Sequence, residues 1–280
     1  MDRTEIKNRL KITLDKKYGN IQDYKYNCFY RALDSGYGDD KRLWQQTVIE
    51  YMIEDSGSLA EFFKRVEQST KDNKSLPLRT CLPLTNRDSY EVHKSKPFPF
   101  GKAKKEIDLE HAIKFNLLGK ELEPFGKFIS YEVAVANDEH SGAIDCIAYN
   151  AERNELRLIE IKRYRVRGHK ENEENFLRAY SEIFTYRAFF ENYDKDFLSR
   201  EFEKTGNKIN FNNVKIINCI FGPRSMFECV DGKLIEYIDN AEGKYGVELY
   251  EIYPAIAIEE NTLIGCEKVL TNIRPTTLTI

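Results

Sequence analysis

One stretch constrains the fold more than any other: residues 141–164, SGAIDCIAYNAERNELRLIEIKRY. Two apolar segments, 143–149 and 156–164, flank a polar connection at 150–155, the pattern of two strands joined by a hairpin loop. Among the ionisable residues that interrupt the apolar pattern, three stand out: Asp145 in the first segment, Glu160 and Lys162 in the second. Alternation along a strand puts Glu160 and Lys162 on one face with Leu156 and Leu158, and Ile159 and Ile161 on the other. Apolar residues on both faces predict a central strand, covered on each side. Two carboxylates and an ammonium are costly there unless they pair with one another or bind a metal.

Both alternatives are concrete. In the first, Glu160 and Lys162 form a buried ion pair and Asp145 caps a turn. In the second, Asp145 followed after a short hairpin by Glu160-Ile161-Lys162 resembles the PD-(D/E)XK nuclease superfamily, with Ile144 where that motif carries its leading proline. The resemblance spans roughly residues 100–225. It implies an α/β restriction-endonuclease-like core in which Asp145 and Glu160 bind Mg2+ or Mn2+. The Ile161 carbonyl would be a third ligand, and Lys162 would orient or activate the attacking water. It also implies hydrolysis of phosphodiesters, with DNA as the favoured substrate. A helix over 106–118 carries the apolar stripe Leu109, Ile113 and Leu117. Glu110 lies beside that stripe and matches the acid that the superfamily often places on the preceding helix, as a further ligand or a holder of metal-bound water. The alternative for Glu110 is a charged flank of the stripe.

The order of elements supports the same core. A strand at 127–136 precedes the hairpin, a strong aromatic-rich helix follows at 172–193, and 213–221 is β-rich. The crossover helix makes the last strand parallel to the one carrying Glu160. The expected order is helix, three strands, helix, strand. Within the long helix, Glu182 and Tyr186 share a face and resemble a Gln-x-x-x-Tyr motif of some of these nucleases, with Glu in place of Gln; packing of Tyr186 in the core is the preferred reading. Further strands are expected at 226–230, 234–238 and 247–253. The tail from 259 gives no signal.

The 280 residues carry a net charge of only −3, so a nucleic-acid site has to be a local basic patch. Arg163, Arg165, Arg167 and Lys170 are the densest cationic stretch, directly after Lys162, and are assigned to the nucleic-acid backbone. Pairing with Glu171, Glu173 and Glu174 is the alternative. A second basic run, Lys94 to Lys105, sits in a segment holding four of the eight prolines, where regular structure breaks. The chain therefore divides into a helical region at 1–75, a linker or draped loops at 76–105, and a nuclease-like domain at 106–280.

In the N-terminal region, Asp23 and the run from Asn27 and Cys28 to Leu33 resemble the nucleophile segment of ovarian-tumour cysteine proteases, where a helix N-terminus lowers a thiol pKa. The Asp-Gly of that pattern is missing, and no histidine offers a base. Cys28 is read as a small buried residue at a helix start, with the protease kept as a rival, as is a non-catalytic nucleic-acid-binding module on a nuclease fold. Six scattered cysteines without a C-x-x-C pair fit reduced thiols. The four histidines lack ligand spacing, no apolar run reaches membrane length, and residues 1–20 are too polar for a signal peptide. A cytoplasmic protein without a membrane partner is expected.

Overall fold

The computed structural model describes residues 117–134, 143–162, 176–192, 194–203, 206–228 and 246–269, together with 2–6, 8–9, 43, 47–48, 235–236 and 238. Its centre is a seven-stranded mixed sheet in sequential order: β1 (Glu121–Leu122), β2 (Gly126–Ala134), β3 (Ala143–Asn150), β4 (Glu155–Ile161), β5 (Lys215–Gly222), β6 (Val247–Glu259) and β7 (Thr262–Lys268). The first four strands run antiparallel, each to the next. β5 lies parallel to β4, and β6 parallel to β5. β7 returns antiparallel. The sheet curls until its ends meet: Glu123 bridges Thr262, and the Glu123 amide donates to the Asn261 carbonyl at 3.1 Å.

Each connection has a local cause. The β3–β4 hairpin closes on the Asn150–Glu155 pair. The Asn150 side chain accepts from the Arg153 amide at 3.0 Å, and Asn154 takes the left-handed φ of 51° that asparagine tolerates. Between β1 and β2, Gly126 has φ +87°, and its α-carbon lies so close to β3 that a side chain would strike the Tyr149 carbonyl. The irregularity in the β6–β7 ladder falls between Ile252 and Ala257, around Pro254, which has no N–H to donate.

Helix α1 (Phe176–Asn192) crosses from β4 to β5 and packs on β3, β4 and β5. Phe176, Tyr180, Ile183 and Phe184 recur at helical spacing and are buried. They join Ile147, Leu156, Leu158 and Ile220 in one core. Ile6 and Val48, from the N-terminal region, lie in that same core. The opposite, concave face holds a second core, in which Phe125 meets Phe221 and Tyr250 edge-on with ring centroids 5.2 and 4.8 Å apart. Ile159 and Ile161 belong to this core and Leu156 and Leu158 to the other, so β4 is covered on both faces as the sequence predicts.

From β2 onward the order three strands, helix, strand is the expected one, with the two-residue β1 added before it. Two expected strands are corrected, and one further helix is added. A second helix, α2 (Lys195–Glu203), follows α1, started by Asp194, whose carboxylate accepts from the Phe197 amide at 2.7 Å. The stretch expected as a strand at 226–230 contains instead the end of a short helix, α3 (Arg224–Glu228), its first turn closed by the Met226 amide on the Pro223 carbonyl. Residues 235, 236 and 238 are helical too: Ile235 and Ile238 are buried and Glu236 exposed, a spacing of three rather than two. β6 runs beyond its expected end, and β7 lies in the tail that gave no signal.

Candidate active site

Beyond the Cys146–Ile159 pair, β3 and β4 stop exchanging main-chain hydrogen bonds, while β3 stays paired to β2 as far as Ala143. The two central strands separate there, and the three ionisable residues sit at the split. Asp145 fills the gap with its side chain: Oδ2 accepts from the Ile161 amide at 2.7 Å. β4 stays tied to β5 on its other side, where the Lys162 amide donates to the Phe221 carbonyl. The backbone on either side of Glu160 is thereby fixed.

Glu160 and Lys162 are each only 3% exposed, whereas Asp145 is half-buried and forms the accessible side of the cluster. Lys162 Nζ lies 2.6 Å from Glu160 Oε1 and 2.8 Å from Glu182 Oε2. The first interaction is a hydrogen bond; the second is an ion pair whose angles fall outside hydrogen-bond geometry. Glu182 comes from the middle of α1 and is itself 3% exposed. Its Oε1 accepts from Arg178 Nε at 3.0 Å, one helical turn earlier, and that guanidinium reaches solvent, with a third of its side chain exposed. Glu160 Oε2 is buried and accepts no hydrogen bond.

The electrostatics follow from three carboxylates facing two cations among the described residues. Burial and the neighbouring Asp145 charge push the Glu160 carboxyl well above the usual range, against the pull of Lys162. Burial acts the same way on Glu182, but Lys162 and Arg178 outweigh it and hold that carboxyl below its ordinary value. A protonated Glu160 would donate to Glu182. Among the described residues the cluster holds one more acid than base, and burial with the Asp145 charge falls on Glu160.

The structure brings Asp145, Glu160, Ile161 and Lys162 together. Glu110, Arg163, Arg165, Arg167, Lys170 and Cys28 lie outside the described residues. Tyr186 is buried in the α1 core, the role preferred for it. Sequence reasoning paired Glu182 with Tyr186 and did not connect it to Lys162, and it passed over Arg178 altogether. Two signals were present: an acid inside an aromatic stripe needs a cation, and Arg178 precedes Glu182 by four residues.

On the opposite face of the same strand, Arg157 is 2% exposed. It bonds Glu248 through Nε at 3.1 Å and Glu155 through Nη2 at 3.0 Å, and Lys215 completes the set on Glu155. Two acids face two bases there.

No family model, no curated protein and no solved structure matches this chain. Among the described residues no helix is long and apolar enough to cross a membrane.

Proposed function

We propose that this chain is a metal-dependent nuclease with a restriction-endonuclease-like core, hydrolysing phosphodiesters and by resemblance favouring DNA. The observation that carries this reading is the buried Glu160 Oε2 without a partner, beside Asp145, at the point where two central strands part. An orphaned buried carboxylate oxygen is expensive in a finished core. A hard divalent cation is the partner that suits it, and Mg2+ takes few carboxylates and keeps several waters. Among the described residues no three His, Cys, Asp or Glu side chains are grouped to hold a metal by themselves. Asp145 and Glu160 would therefore share the cation with water, substrate and the Ile161 carbonyl, with Glu110 as a candidate from the preceding helix.

A cation bound there supplies a Lewis acid and a water of lowered pKa. The chain's own part is electrostatic and positional. Asp145 and Glu160 are anchored through the Ile161 and Lys162 amides. The Lys162 ammonium offsets the phosphate charge and orients the attacking water. Arg163, Arg165, Arg167 and Lys170, which follow Lys162 in the chain, would grip the backbone on either side of the scissile bond.

The test is cleavage of supercoiled plasmid, linear duplex and RNA in Mg2+, Mn2+ or EDTA. The expected result is cleavage that needs the divalent ion and disappears in Asp145→Asn and Lys162→Met. Cleavage that persists in EDTA, or wild-type activity in either variant, sinks the reading.

A further inference from the structure

Lys162 has two carboxylates within ion-pair distance, and one of them is claimed by the metal in the reading above, on which the following rests. The 2.6 Å approach of Lys162 Nζ to Glu160 Oε1 competes directly with a cation for Glu160. With Glu160 as its partner, the ammonium would lose a buried counter-ion whenever that acid turned to a metal, a costly exchange at 4% side-chain exposure. Glu182 removes that cost. Its Oε2 already lies 2.8 Å from Nζ, and Arg178 holds the other oxygen at 3.0 Å, so the carboxylate is fixed in the orientation that receives Lys162.

We propose that Glu182 is a positioning residue of the metal centre, taking over the Lys162 ammonium so that Glu160 is released to a divalent cation. Asp145 and Glu160 then face the cation, and Lys162 and Arg178 are left to Glu182. The Gln-x-x-x-Tyr resemblance around Glu182 does not imply this role; the ion-pair distances do.

The test is calorimetric titration of Mn2+ and Mg2+ into the metal-stripped full chain, which reads affinity and needs no turnover. Glu182→Gln should weaken Mn2+ binding by about tenfold, the usual scale for a residue that orients a metal ligand. Lys162→Met removes the competitor, so adding Glu182→Gln to it should change the affinity by less than about threefold. Glu182→Asp keeps the charge and shortens the reach. It should weaken binding when Lys162 is present and have no effect beside Lys162→Met, and it decides the matter if Glu182→Gln does not fold. Equal losses in both backgrounds would mean that Glu182 acts only through its long-range field, and the proposal would fall. No loss in either background has the same consequence. If the wild-type chain binds neither ion in a manner abolished by Asp145→Asn, the metal site itself is wrong and the proposal falls with it.

Discussion

Asp145 performs two tasks that a pair of substitutions can separate. Its Oδ2 is the acceptor for the Ile161 amide, at a residue fully buried in the concave core. Its charge is one of the two proposed for the metal, and it also raises the Glu160 carboxyl. Asp145→Ala removes both and strands the amide, which costs about 1–3 kcal/mol. At this length each kcal/mol corresponds to roughly 2–4 °C in Tm. Asp145→Asn keeps an oxygen for the amide and deletes the charge beside Glu160, so in EDTA it should melt no lower than wild type. Urea titration in EDTA and again in Mg2+ checks both arms. Wild type should gain about 2.7 kcal/mol when Mg2+ stands at a hundredfold excess over its Kd, and neither variant should gain. If Asp145→Asn is destabilised as much as Asp145→Ala, the amide bond is not what Asp145 contributes to the fold. If either variant keeps the Mg2+ gain, Asp145 is not a ligand.

Gly126→Ala should lower stability by more than ~2 kcal/mol in urea, because φ is +87° and the new carbon would sit 2.5 Å from the Tyr149 carbonyl oxygen; a loss within error would mean that β2 and β3 can move apart freely. Cys219 is fully buried, and burial together with Glu248 pushes its thiol well above the usual range, so its thiolate population is negligible at pH 8 and stays so as pH rises into the ordinary thiol range. Iodoacetamide followed by peptide mass spectrometry should leave Cys219 unmodified in the native chain and label it in urea; native labelling would contradict the packing of the concave core. The combined Arg163→Ala, Arg165→Ala and Arg167→Ala variant, with catalysis silenced by Asp145→Asn, should bind every DNA sequence more weakly. It should also flatten the slope of log K against log salt by roughly 0.7–0.9 for each phosphate no longer neutralised. Unchanged affinity with a lower Tm would assign those arginines to the acidic run Glu171, Glu173 and Glu174.

What could be read from the sequence was whatever depends on alternation within one strand or on chain order. Leu156, Leu158, Ile159 and Ile161 place β4 at the centre, and the turn residues Asn150 and Asn154 mark its hairpin. The side of the sheet on which Glu160 and Lys162 lie follows from the same alternation. Partners that arrive from elsewhere in the chain were not legible. Glu182 meets Lys162 only because α1 crosses back over β4, and the rotation of α1 about its own axis is set by Tyr180, Ile183 and Phe184 entering the core. Met226 and Phe227 look like strand residues by composition, yet Gly222-Pro223 ends β5 and both side chains are buried from a short helix instead. β7 was unreadable for another reason: its seven residues carry no strict alternation, and pairing with β6 is what makes them a strand.

β4 contains its own control for the functional reading. Both of its faces carry ionisable groups: Arg157 and Lys162 lie at nearly the same depth, while the carboxylates around Arg157 are more exposed than Glu160 and Glu182. Around Arg157 the described residues supply two acids for two bases, and Tyr250 adds a hydroxyl donor to Glu248 at 3.1 Å, so the carboxylates on that face are supplied with cations and donors, and the one unpartnered buried atom there is a donor, Arg157 Nη1. Around Lys162 the described residues supply three acids for two bases and leave Glu160 Oε2 without a donor. A strand that pairs partly buried carboxylates on its concave face leaves a more deeply buried one without a donor on the other, at the place where its ladder to β3 has already come apart. The first arrangement is what stability alone produces. The second costs stability that the proposed cation would repay, so removing the charge imbalance should stabilise the metal-free chain. Glu160→Gln should therefore raise Tm in EDTA and abolish the Mg2+ response, whereas Arg157→Met, which strands Glu248 and Glu155, should lower Tm in both conditions. A lower Tm for Glu160→Gln in EDTA would show that the Lys162 pair is a structural ion pair and would remove the reason for placing a metal there.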